Sequence, residues 1–140
     1  MKLFRICSQK ELEKVLSGDR MVPLYKHSGA HSTLAHNGRA FWFFETIETA
    51  VNLFGIIATC EDAPKEESCI ICEYDIPKYA IAGRGFSGYG GFFCSRSEWN
   101  VPEVITRELR GAWLTGVHYV NQIEVYDKYF EDYVFKYELI

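Results

Sequence analysis

Apolar and polar positions alternate through "KLFRIC" (Lys2 to Cys7), which predicts a first strand. Ser8 followed by Glu11 has capping-box spacing and predicts a helix to about Leu16, ended by Gly18. From Asp19 to Arg39 the periodicity lapses around Pro23, "SGAHST" and "HNGR", so a long ordered loop is expected, a feature that compact domains mostly use functionally. The short apolar run "AFWFF" (Ala40 to Phe44) predicts a buried strand. Behind a Thr cap, "TIETAVNLFGIIA" (Thr46 to Ala58) carries apolar residues at helical spacing.

A polar acidic connector, "EDAPKEES", leads to a strand in "CIICEYDIP" (Cys69 to Pro77), stopped by its proline. The glycine-rich "AGRGFSGYGG" reads as a loop, followed by a strand through Glu98 and a short helix or turn after Pro102. In the tail, "GAWLTGVHYV", "QIEVY" and "YVFKYEL" alternate and are rich in β-branched and aromatic residues, so they predict further strands. Without repeats, a linker or regular βαβ alternation, residues 1–140 form one α+β domain. Its expected architecture is two mainly antiparallel sheets enclosing a cleft, with short helices in the N-terminal half.

Composition narrows this picture. A hydrophobic fraction of 48% and a charged fraction of 24% fit a globular chain with a real core. The formal net charge of −4, with Lys and Arg scattered, argues against a general polyanion binder. No apolar run approaches a membrane span, and "MKLFRICSQKELEK" turns charged too early for a signal peptide. Five cysteines, an odd number, suit a reducing compartment. A cytoplasmic location and no membrane partner are therefore expected.

Several residues invite chemical readings. Cys69 and Cys72 are three apart, so on a strand they face opposite ways and suit core packing better than a shared metal. His27, His31 and His36 share a loop without an acidic partner or HExxH spacing, and no metal is expected. The segment "GRGFSGYGG" (Gly83 to Gly91) lacks the Gly-Lys-Ser/Thr ending of a phosphate loop. Its aromatics instead suggest a loop that moves over a substrate, or a flexible connector. Arg5 shares a strand face with Leu3 and Cys7, where it either reaches out to solvent or binds an anion in a cleft.

Taken in order, "LFRICS" with Arg5, "AFWFFET", "CIICEYDIP", the glycine-aromatic loop and "SEWNVPEVI" give the chain a shape that resembles the ADP-ribosyltransferase superfamily, in its cholera-toxin-like bacterial toxin branch. The likeness runs from about Leu3 to Trp113 and rests on the order and spacing of short motifs. It implies an NAD-dependent mono-ADP-ribosyltransferase, a glycosyltransferase of the bacterial or phage effector kind, with NAD as co-substrate and no metal. Arg5 would bind the dinucleotide, and Trp42, or Phe43 in the other register, would stack on nicotinamide. Glu98 would be the catalytic carboxylate, with Glu103 the nearest other acid.

Cleavage of the nicotinamide–ribose bond passes through an oxocarbenium-like centre, which a carboxylate beside the ribose stabilises. The resemblance further implies that Phe86, Tyr89, Phe93 and Arg96 belong to a loop that orients a macromolecular acceptor, a protein or a nucleic acid. "FWFFET" departs from the Ser-Thr-Ser of the toxin branch, and Arg96 stands where arginine-targeting enzymes carry Glu or Gln. Two alternatives share the fold: an RNA 2′-phosphotransferase using NAD, and a non-enzymatic interaction or inhibitor module.

Overall fold

The computed structural model describes residues 1–18, 20–23, 34, 38–51, 68–87 and 101–140. Nine strands are present among them: β1 (Lys2–Ser8), β2 (Arg20–Met21), β3 (Phe41–Phe44), β4 (Ser68–Asp75), β5 (Ile81–Ser87), β6 (Val101–Thr106), β7 (Leu109–Arg110), β8 (Leu114–Asp127) and β9 (Asp132–Leu139). The helix α1 (Gln9–Leu16) follows β1 directly. Seven strands form one sheet in the order β5-β6-β3-β1-β4-β8-β9, and β2 pairs with β7 separately. Every pairing is antiparallel. The chain is thus a mostly-sheet α+β protein with few helices among the described residues.

Local chemistry accounts for the first elements. Ser8 is extended and accepts a 3.2 Å hydrogen bond from the Glu11 amide, which starts α1. Gly18 ends the helical region with φ of +83°, a left-handed conformation that glycine adopts without a Cβ penalty. Thr46 caps a helical turn over 47–51 through its hydroxyl to the Thr49 amide at 3.2 Å.

The sheet is covered on both sides, which explains why "FWFF" and "CIIC" read as nearly continuous apolar runs. One face carries Leu3, Cys7, Phe41, Phe43, Ile70, Cys72, Tyr74 and Val104 and packs against Leu12 and Val15 of α1 and against Leu109. The opposite face packs Phe4, Phe44, Ile71 and Val101 with Ala50 of the helical turn. β1 pairs with β4 along its whole length, from Lys2↔Asp75 to Ser8↔Ser68, but meets β3 in register only at Phe4↔Phe44. The sheet is therefore nearly parted between β1 and β3.

Two sequence expectations change here. Gly83, Gly85 and Phe86 lie in the strand β5, not in a loop. Gly83 points inward with Leu34 and Ile105 so close that an added Cβ would stand 3.2–3.3 Å from them, so this glycine serves close strand packing. The segment around Pro102 is the strand β6, not a helix or turn. Pro102 faces Phe86 in the ladder and Glu103 faces Phe44 and Gly85.

At the other edge β8 outruns its neighbour. It pairs with β4 through Tyr119, and from Val120 to Asp127 its partner among the described residues is β9. The ribbon ends in Tyr129 and Phe130, exposed and in edge contact at 5.0 Å between ring centroids. Asp127 Oδ1 holds the turn by accepting from the amides of Tyr129 and Phe130 at 2.8 and 3.3 Å.

Candidate functional site

Alternation along β1 points Arg5 to the face of Leu3 and Cys7, where α1 lies, and Glu11 in the first turn of α1 comes within reach. The guanidinium engages it as a fork: Nε donates to Glu11 Oε2 at 2.9 Å and Nη2 to Oε1 at 2.7 Å. Nη1 donates to the Trp42 carbonyl at 3.1 Å. That carbonyl belongs to β3 just past the single β1–β3 register pair, so Arg5 occupies the point where the two strands part. Its Cζ lies 5.0 Å from the Phe41 ring centroid and 6.0 Å from that of Phe43, within cation–π range.

The Arg5 and Glu11 side chains keep 18% and 14% of their exposure. Burial alone would oppose the charge on Arg5, and the adjoining Glu11 carboxylate outweighs it, holding the guanidinium firmly protonated. Glu11 shows that the capping-box spacing served two ends: its amide completes the cap while its carboxylate turns to Arg5.

The two aromatic registers separate clearly. Phe43 is fully buried and meets Tyr74 edge-on at 5.7 Å and 87°. Trp42 faces the other side of the sheet and packs, half-buried, with Leu34, Ala40 and Ile105. The structure thus brings Arg5 together with the rings of Phe41 and Phe43 and with the backbone, not the indole, of Trp42.

Glu98, Tyr89, Phe93 and Arg96 lie outside the described residues, as do His27, His31 and His36. β6 begins three residues after Glu98, beside β3 and one strand from β1. Glu103 is buried within β6, at 2% exposure. Phe86 stands half-exposed on β5, next in line to Arg84, whose Nη2 donates to Glu45 Oε1 at 2.7 Å.

Elsewhere, a shallow open depression of about 290 Å³ is lined by Arg20, Tyr79, Arg107 and Glu108, among others, and includes none of the residues singled out by sequence. Glu108 already holds Arg20 at 2.5 Å and Arg110 at 3.2 Å. Among the described residues no group of three or more His, Cys, Asp or Glu side chains could hold a metal, and no helix is long and apolar enough to cross a membrane.

Sequence reasoning missed Glu11 as the partner of Arg5. It also missed Cys7, whose Sγ lies 3.4 Å from that of Cys72. The signals existed, since Cys7 shares its face with Arg5 and Glu11 sits one turn into the next helix. No family model matches this chain, and no curated protein or solved structure matches it.

Proposed function

We propose that the chain is an NAD-dependent mono-ADP-ribosyltransferase acting on a macromolecular acceptor. The supporting observation is the contiguity of β6, β3 and β1, the strands that carry or directly follow the three motif positions, with Arg5 placed where β1 and β3 part. An Arg at such a gap can fork onto pyrophosphate oxygens once the anion displaces Glu11 from it. A carboxylate arriving ahead of β6 would stabilise the ribosyl cation formed as nicotinamide leaves.

The test is release of nicotinamide from NAD, followed chromatographically, together with NAD affinity by calorimetry. Glu98→Gln should slow cleavage by at least about a hundredfold while leaving affinity nearly unchanged. Equal turnover in the variant would remove Glu98 from the chemistry and bring Glu103 forward.

A second reading has its own support. The Arg5 fork is filled by Glu11, and the rings beside it, Phe41 and Phe43, are buried, which suits an interaction or inhibitor module that does not process NAD. Absence of NAD binding at millimolar concentration would favour it. For the RNA 2′-phosphotransferase, the described residues offer no specific observation.

A further inference from the structure

We propose that Cys7 and Cys72 form a redox modification site, closing to an intramolecular disulfide when the reduced protein meets a hydroperoxide. Their sulfurs are in contact at 3.4 Å, on adjacent antiparallel strands, and both side chains are buried. Cys72 lies opposite Arg5 and Cys7 opposite Ile70, so the two thiols are diagonal neighbours on one face. A disulfide needs the sulfurs at about 2.05 Å. The remaining approach falls where the backbone can yield, because the β1–β4 register shifts between Cys7 and Ser8.

The contact between the two thiols, more than their wider surroundings, sets them apart chemically. The hydrogen bond between the thiols raises Cys7, with burial adding to it, and the same bond lowers Cys72 against the effect of its own burial. The Glu11 carboxylate opposes the thiolate of each, and the smaller effect of the Arg5 charge favours it. Cys72 is therefore the attacking sulfur. Its thiolate takes the terminal oxygen of hydrogen peroxide, the O–O bond breaks, and hydroxide leaves as water after protonation, giving a sulfenic acid on Cys72. Cys7 then loses its proton and attacks that sulfur, the S–O bond breaks, and the second oxygen leaves as water. Two thiols and one peroxide become one disulfide and two waters, the sulfurs supplying both electrons. With Cys7 already in contact, the sulfenic acid is captured before further oxidation.

The proposal is independent of any use of NAD. It is tested on the full wild-type chain, reduced, desalted, treated with a small excess of hydrogen peroxide, alkylated without reductant and mapped after trypsin. The expected product is a monomer about 2 Da lighter in which the peptide Ile6–Lys10 is linked to Glu66–Lys78. Fragmentation should assign the bond to Cys72 rather than Cys69, and dithiothreitol should reverse it. Cys69→Ser should retain the link. The oxidised protein should melt about 10 °C higher, because the bond closes a long loop in the unfolded chain. Cys7 remaining fully alkylatable while other cysteines oxidise would overturn the proposal. So would a link from Cys7 to Cys69, or oxidation to intermolecular dimers alone.

Discussion

Replacing Glu11 by Gln removes one charge from a bidentate pair and leaves Arg5 charged in the gap between β1 and β3. Truncating one partner of a fully buried pair costs about 3–5 kcal/mol, whereas exposed pairs are worth less than about 1 kcal/mol. With less than a fifth of either side chain exposed, this pair belongs toward the buried limit. Gln keeps one acceptor for the guanidinium, so the expected loss is about 2–3 kcal/mol. The double variant Arg5→Met/Glu11→Leu should regain much of this, since well-packed apolar replacements of a buried pair are often near neutral. Urea unfolding at neutral pH with dithiothreitol present, which keeps Cys7 and Cys72 reduced, measures both quantities at constant m-value. A loss below about 0.5 kcal/mol for Glu11→Gln, or a double variant less stable than Glu11→Gln, would refute the view that Glu11 is what holds Arg5 in the gap.

Phe43→Ala should destabilise by about 3–5 kcal/mol in the same assay, because the ring is fully buried against Tyr74. A loss under about 1 kcal/mol would show that the site collapses around the void. Gly111→Ala would drive a Cβ into the Val15 carbonyl at the end of α1 and toward the Gly18 backbone, so a loss of about 1–3 kcal/mol is expected, with far-UV circular dichroism showing whether α1 survives. Hydrogen bonding from Arg20 holds the Glu108 carboxyl below its usual value despite some desolvation. Its stabilisation is therefore present above the unfolded carboxylate pKa of about 4.3 and disappears as pH falls through the lower folded value. The melting difference between wild type and Glu108→Gln should accordingly be largest near neutrality and vanish in acid; a difference that persists unchanged at about pH 2 would contradict it.

Local signals carried the strand at Lys2–Ser8, the Ser8 cap, the Gly18 stop, the "FWFF" strand, the strand ending before Pro77 and the sheet-forming tail. These depend on neighbours in sequence, where alternation and capping chemistry act. β5 was hidden because Gly83 reads as a loop residue unless the inward neighbours Leu34 and Ile105 are known. β6 was hidden by Pro102, whose missing donor matters only once the partner strands are placed. The contacts of Arg5 with Trp42 and of Cys7 with Cys72 arise from pairing across long stretches of chain, which alternation alone does not specify. As for the candidate site, the sequence marked Arg5 as anomalous on its strand but left its occupant open, and the partner proved to be Glu11 from the next element.

The β8–β9 ribbon gives the molecule a gradient of exchange lifetimes. At its base the Ile140 amide donates to the Tyr119 carbonyl at 3.1 Å, and Val120 and Tyr137 pack on the second face of the sheet. Toward the tip the ladder has no third strand among the described residues, and Glu131 takes a φ of +51° in the turn. A two-stranded ribbon in water is marginal on its own. Opening from Glu131 inward therefore releases amides pair by pair at small free-energy cost, while the amides of β4, paired with β1 on one edge and β8 on the other, exchange only when the whole sheet comes apart.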